Sequence, residues 1–294
     1  MKTMRMPIDG ALKTSAAAAI VLTGLFAAPA RADEAAAVPQ NDLLNATLWM
    51  QRSVEYKATT LGIYNLAKGQ LDAALTDKNW TAVPDKQGEN FGDKPPAIVL
   101  DADETILDNS PYEASLVTRG TDFSPKEWTA YVKDKVTKAI PGAVEFLRYA
   151  DSKGVKVFYV SNRTLEEKPA TLENMKDLGF PMGGNVDTFL ASGQQPDWKS
   201  PKENRVAFVA KDYRVIMMFG DNLGDFTDKY KGTYEERMKF FTDSAAHWGH
   251  DWFMLPDPEY GSWESNPFNN NYKLSPDERR KMKIEALQPW KPKG

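Results

Sequence analysis

The sequence predicts an α/β fold, a Rossmann-like parallel sheet with a smaller helical cap. Three observations carry this expectation. Short apolar runs recur along the chain, and the leading ones break off into polar or acidic residues. Amphipathic stretches long enough for helices lie between them, the pattern of strands buried on both faces. A polar insertion interrupts the alternation just after the first run.

The elements follow in chain order. Lys2, Arg5 and Lys13 precede an apolar run from Ala16 to Ala30, and Ala30-Arg31-Ala32 has the form of a signal-peptidase site. The run is shorter than the roughly 20 residues a membrane-spanning helix needs. Residues 1–32 are therefore expected to be a cleaved export signal, with a membrane anchor as the alternative. Residues 33–96 form a helical lead: Leu44, Leu48, Tyr56, Leu61, Tyr64 and Leu71 recur at helical spacing. Two helices or one long bent helix are expected there, then a Pro- and Gly-bearing loop over 78–96.

The α/β core is expected over 97–108 and 141–260. Its strands are Ala97–Leu100, Val155–Val160, Val215–Phe219, a weaker Phe253–Leu255 and a short Thr188–Leu190. Helices are expected over Pro141–Lys153, Glu166–Leu178 and Pro201–Lys211. Residues 109–140 are the inserted cap, with a helix from Pro125 to Lys138. The tail, 261–294, is rich in Pro, Asn and Lys and is expected to wrap the surface.

Composition narrows the chemistry. Hydrophobic residues make up 41% of the 294, with 14 Phe, 11 Tyr and 8 Trp, ample for a packed core and against disorder. The net charge of −4 and the lack of a basic block argue against a nucleic-acid polymer as partner. The absence of cysteine removes disulfides, thiol nucleophiles, Cys-based zinc sites and a lipid-modified N-terminal Cys. The processed chain is thus expected free of the membrane, in the periplasm or the medium, with a homo-oligomer left open.

Ligands of a parallel sheet bind beyond the carboxyl ends of its strands. The first strand runs into Asp101-Ala102-Asp103-Glu104-Thr105, the second into Ser161-Asn162-Arg163, the third into Gly220-Asp221-Asn222-Leu223-Gly224-Asp225, and Lys202 opens a helix. Asp101, Asp103, Asp221 and Asp225 together would crowd four carboxylates into one crevice, which calls for a cation. An all-oxygen donor set favours a hard ion, Mg²⁺ by default. Ser161 and Lys202 add a hydroxyl and a positive charge, so the set suits phosphoryl transfer. Asp101 would attack phosphorus, Asp103 would act as acid and then base, and Thr105 would hold the turn. Singly, each feature has a plainer reading: a solvated turn for Asp-x-Asp, a helix N-cap for Ser161, a surface position for Lys202.

The ordered motifs Asp-x-Asp-x-Thr, Ser, Lys and Gly-Asp-x-x-x-Asp resemble those of the haloacid-dehalogenase superfamily. More narrowly, Ile98–Tyr112 and Ile216–Phe226 resemble the paired signatures of bacterial class C acid phosphatases, a family that includes lipoprotein 5′-nucleotidases. The likeness extends from about Leu48 to Glu264, through Trp49, Glu55-Tyr56, Lys199-Ser200-Pro201-Lys202 and Tyr260-Gly261-Ser262-Trp263-Glu264. It implies a haloacid-dehalogenase-type sheet and Asp101 and Asp103 as nucleophile and acid/base. It implies Mg²⁺ held by Asp101, the Asp103 carbonyl and Asp221, with Asp225 in or near the outer shell. Thr105, Ser161, Asn162 and Lys202 would bind the phosphoryl group, and Trp128 and Tyr260 would flank the leaving group of a small phosphate monoester, nucleotides included. The plainer readings are a cap-helix anchor for Trp128 and a packed loop residue for Tyr260. A phosphotransferase, or a non-catalytic storage or ligand-binding protein on the same fold, are the alternatives. Ala102 stands where relatives carry a bulkier aliphatic residue, and the lipidated Cys of many relatives is missing. His247-x-x-His250 has the spacing of a helical zinc pair, but Trp and Gly dominate its surroundings, so zinc is not expected.

Overall fold

A computed structural model describes residues 41–292; the expected signal and leader, 1–40, lie outside the described residues. Five strands make one parallel sheet: β1 Pro96–Leu100, β4 Lys156–Thr164, β5 Phe189–Ser192, β6 Arg214–Gly220 and β7 Trp252–Met254, in the order β5-β4-β1-β6-β7. The chain leaves β1 toward β4 and β5, then returns on the other side through β6 and β7. The carboxyl end of β1 therefore lies at a topological switch point, where such sheets form a crevice.

Strand geometry sends alternate side chains to opposite faces. Ile98 and Leu100 pack on one side with Tyr64 and Leu71 of α2 (Val54–Thr76), Phe146 and Leu147 of α5 (Ala143–Ser152) and Met175 of α6 (Lys168–Leu178). Ala97 and Val99 face Val206 and Val209 of α7 (Glu203–Asp212), with Trp198, Phe226 and Trp252. Both faces are covered, which is why β1 reads as an unbroken apolar run. The helical lead is two helices, α1 (Leu44–Arg52) and α2, divided at Ser53, whose extended backbone and side chain cap the Tyr56 amide. No helix among the described residues is long and apolar enough to cross a membrane.

The insertion is pinched at its neck by an antiparallel pair, β2 (Leu107–Asp108) with β3 (Lys138–Ala139). It holds α3 (Ser110–Arg119), closed by left-handed Gly120, and α4 (Pro125–Asp134), begun by the Ser124 cap. The helix expected to reach Lys138 thus stops four residues early: Lys135 turns left-handed, and Lys138 is taken by the neck pair.

One further expectation is corrected, and helices appear in two segments for which none was expected. The second strand does not end before Ser161 but carries Ser161-Asn162-Arg163 within β4, because Ser161 still pairs with Ala191 of β5. A helix not anticipated, α8 (Tyr234–Asp243), starts at a capping box of Thr233 and Glu236. The tail contains α9 (Ser262–Ser265) and α10 (Pro276–Glu285), the latter opened by a Ser275–Glu278 capping box. Both boxes stand in the sequence as Thr/Ser-x-x-Glu, a local signal that weak apolar periodicity obscured.

Leu71 is fully buried where α2 meets the sheet. Leu71→Ala should cost about 2–5 kcal/mol, read as a lower midpoint in urea unfolding with the slope unchanged.

Candidate active site

β1 and β6 deliver the central groups side by side. Asp101 follows Leu100 directly, its amide donating to the Phe219 carbonyl of β6 at 3.1 Å. Asp221 follows Gly220 at the end of β6. Asp225 returns on the short helical turn Leu223–Asp225, where its Oδ2 accepts from the Asn222 amide at 2.9 Å. One oxygen from each of Asp101, Asp221 and Asp225 lies within 4.8 Å of the others. Gly220 makes the approach possible, since a Cβ there would collide with the Asp225 carboxylate.

Lys202, at the start of α7, is buried and spans two of these acids: its Nζ lies 2.5 Å from Asp101 Oδ1 and 2.7 Å from Asp225 Oδ1. It is no surface lysine. The third acid is held otherwise: Thr105 Oγ1 donates to Asp221 Oδ1 at 2.8 Å, and the Thr105 carbonyl accepts from the Tyr64 hydroxyl at 2.6 Å.

One ammonium against three carboxylates leaves an excess of buried negative charge. Burial pushes the Asp101 carboxyl up to about 7; Asp225 and Asp103 add to the rise and Lys202 opposes it. Burial, then Asp225 and Asp101, raise Asp221 well above the usual carboxylate range. Burial alone would lower the Lys202 ammonium, but Asp101 and Asp225 more than reverse this. Such a site favours binding either protons or a cation. Its all-oxygen donors fit a hard divalent ion, to which Asp101, Asp221 and Asp225 could each offer an oxygen.

The fourth acid departs from the expected crowd. The Asp103 carboxylate is not part of this trio but is gripped by Arg163: Nη2 reaches Oδ1 at 2.7 Å, and Nε reaches Oδ1 at 2.9 Å and Oδ2 at 3.3 Å. Asn109 Nδ2 adds a bond to Oδ1 at 2.8 Å. The physical reason is charge pairing: a fully buried guanidinium draws in the nearest carboxylate. Arg163 is itself fixed by Thr171 Oγ1 and Asn109 Oδ1. It was visible in the Ser-Asn-Arg motif but carried no assigned part.

Ser161 is buried in β4, with its Oγ accepting from the Arg163 amide at 3.0 Å, so it caps no helix. Asn162 is exposed, and its Oδ1 accepts from Arg205 Nη2 at 2.7 Å. Arg205, fully buried, also binds the Ser161 carbonyl at 2.5 Å and the Lys199 carbonyl at 2.8 Å, tying β4 to the Lys202 turn. Nothing local in the sequence marks that bracing.

The two expected aromatics lie on different elements. Trp128 is half-buried on α4, edge-on to Tyr112 at 5.2 Å, and the Arg163 guanidinium lies 5.4 Å from its ring centre. It is thus both a cap anchor and a neighbour of the Asp103 partner. Tyr260 is half-buried, and its hydroxyl donates to Glu104 Oε2. Glu104 itself is fully buried, in a left-handed conformation (φ 50°), with Oε1 accepting from the Asn109 amide at 2.7 Å.

His247 and His250 lie in a turn, not on a helix. His247 stacks on Trp252 and His250 on Trp80, while both Nδ1 atoms face Asp251, at 2.8 Å and 3.7 Å. The acidic trio is the metal-suited cluster found among the described residues.

Residues 12–263 match the family model for the HAD superfamily, subfamily IIIB (acid phosphatase). The chain belongs to this family. The IIIB chain is similar to the class C acid phosphatase from Bacillus anthracis, 36% identical with a TM-score of 0.74, covering 85% of this chain and 98% of that one. The same figures hold for that enzyme's structure with tungstate bound. Acid phosphatase 1 of Solanum lycopersicum is 25% identical over 131 residues, 43% of this chain and 50% of that protein. A stem 31 kDa glycoprotein of Glycine max is 23% identical over 166 residues, 55% of this chain and 58% of it. The chain thus spans about half the length of the curated relatives it matches.

Gly220→Ala should displace the Asp225 carboxylate and weaken divalent-ion binding by about 10–100-fold, measured by calorimetric titration of the folded variant.

Proposed function

We propose that this chain is an exported, Mg²⁺-dependent acid phosphatase that hydrolyses small phosphate monoesters through an aspartyl-phosphate. The observation that carries this reading is the meeting of Asp101, Asp221, Asp225 and Lys202 at the carboxyl ends of β1 and β6. A Mg²⁺ ion held by Asp101, Asp221 and the Asp103 carbonyl, with Asp225 beside it, would supply positive charge against the phosphoryl oxygens.

In the first half-reaction an Asp101 carboxylate oxygen attacks phosphorus, and the bond from phosphorus to the ester oxygen breaks. Asp103 gives its proton to that leaving oxygen, its carboxyl steered by Arg163 and Asn109. Lys202 balances charge at Asp101 and the phosphoryl group, and Thr105 keeps Asp221 turned inward. Ser161 and Asn162, from β4, complete the phosphoryl cradle. In the second half-reaction Asp103 takes a proton from water, the water oxygen bonds to phosphorus, and the bond from phosphorus to Asp101 breaks. Free phosphate leaves and both acids return to their starting states. The tungstate complex of the Bacillus anthracis relative supports an oxyanion site of this kind.

Trp128 and Tyr260 form the leaving-group side. Aromatic rings there suit nucleoside monophosphates, since stacking is worth about 1–3 kcal/mol per base. Export rests on the basic, apolar and small-residue succession of residues 1–32.

Phosphate release from a chromogenic monoester should require added Mg²⁺, stop with chelator and return with excess ion. Asp101→Asn, checked for folding by circular dichroism, should lose nearly all turnover; undiminished turnover would refute the covalent route. Transfer of phosphate to added nucleoside in place of release would point to the phosphotransferase instead.

A further inference from the structure

A second concentration of buried acid lies behind the leaving-group side. The loop after β7 carries Asp257 and Glu259, immediately before Tyr260. Glu259 is 2% exposed, and the Asp257 Oδ2 is shut off from solvent. Three helices of the lead and the insertion close over them. Thr47 of α1 brings its buried hydroxyl to Glu259, Tyr56 of α2 lies buried among Asp108, Glu104, Asp257 and Glu259, and Glu113 of α3 adds a carboxyl that is 6% exposed. Asp108 of β2 and Glu104 also face the group, and Asp257 adds to the field at Asp221. No lysine, arginine or histidine forms an ion pair with Asp257, Glu259, Glu113, Asp108 or Glu104 among the described residues.

The junction is also short of hydrogen bonds. Of nine buried side-chain polar atoms without a well-formed hydrogen bond among the described residues, five are here: Thr47 Oγ1, Tyr56 Oη, Asp257 Oδ2 and both Glu259 oxygens, Thr47 making only a loose approach to Glu259. A buried ionised carboxylate with no counter-charge and few donors is costly. A protonated one loses most of that cost and gains a hydrogen to donate. Burial pushes Asp257 up to about 7 against the opposing backbone donors of Glu259 and Tyr260, Glu259 to about 8 against the Thr47 hydroxyl, and Glu113 to about 7; Glu113 adds to Asp257, and Asp257, Glu113 and Asp108 add to Glu259.

The same loop reaches the reaction centre. Asp257 Oδ1 accepts from the Glu259 amide at 2.8 Å, shaping the turn that presents Tyr260. Ser262 Oγ then donates to Asn222 Oδ1 at 2.6 Å, inside the Asp221–Asp225 motif. We propose that Asp257 and Glu259 are positioning residues whose protonated carboxyls lock the Tyr260 loop beneath α1, α2 and α3, firm in acid and loosened as pH rises. The consequence for substrate rests on the reading of Tyr260 as a leaving-group residue; the lock itself does not.

The sign follows from linkage. These acids hold protons more tightly folded than unfolded, so their stabilisation is complete below about pH 4 and is lost as pH rises to about 7–8. Asn and Gln mimic the protonated forms at every pH. Thermal melts of wild type and an Asp257→Asn/Glu259→Gln variant, at about pH 5 and about pH 8, isolate this contribution from other titrating groups. The fall in Tm between the two conditions should be smaller in the variant by about 3 °C or more. Across the same range, wild-type KM for a nucleoside monophosphate should rise severalfold relative to glycerol phosphate, with the variant's ratio flat and kcat alike in both. Equal melting slopes would overturn the lock. So would a rise in wild-type Tm at the higher pH on adding Ca²⁺ or Mg²⁺ that the variant does not share, which would make a cation the occupant. Glu113→Gln, which removes an acid from outside the loop, should flatten the melting slope in the same direction and serves if the double variant does not fold. Tyr260→Ala with an unchanged KM ratio would sink the leaving-group reading alone, leaving the melts to judge the lock.

Discussion

Three carboxylates share a buried crevice with one lysine, and much of the architecture exists to make that arrangement possible. Asp101, Asp221 and Asp225 would repel one another strongly in a site of low polarity. Lys202 bridges two of them and Thr105 holds the third, yet a deficit of positive charge remains. That deficit suits the site to a hard cation and, in the proposed function, to a phosphoryl group beside it. A site already neutral would have little reason to bind either.

The fold concentrates this charge at a place where rigid backbone can hold it. Both faces of β1 are buried, so Asp101 emerges from a strand with no freedom to swing away. Gly220 lets Asp225 fold back against the end of β6, and Arg205 staples the Ser161 carbonyl of β4 to the Lys202 turn. The insertion then brings a different chemistry to the rim. Asn109 of the insertion joins Arg163 of β4 on Asp103, with Trp128 against the guanidinium, so the acid expected to trade protons is separated by its own ion pair from the acids expected to hold metal. Two neighbouring aspartates thereby acquire distinct environments, a division of labour that spacing alone does not predict.

Behind the site, charge is managed by a different means. Among the described residues, Asp257, Glu259 and Glu113 pair with no cation, and they gather under α1, α2 and α3. Together with the Asp101 trio, they make the molecule's interior unusually acidic along one path, from metal motif to substrate loop. An interior of this kind is best tolerated where protons are plentiful, which accords with membership of an acid phosphatase family.

The sequence by itself determined the strands of the sheet and where β1 ends. Apolar runs such as Ala97–Leu100 and Val215–Phe219 bury on two faces, and that demand is local and periodic, so the polar residues following them are placed at the crevice. Capping boxes at Thr233 and Ser275 were equally local, though the amphipathic signal around them was faint. Only the tertiary structure decided which charge meets which. Arg163 lies 60 residues from Asp103, and the Tyr260 hydroxyl 156 residues from Glu104. Such pairings depend on how strands and loops are stacked in space, and hydrophobic periodicity carries no record of partners. The extent of β4 through Ser161, the early end of α4 and the acid junction were hidden for the same reason: each is set by a neighbour distant along the chain.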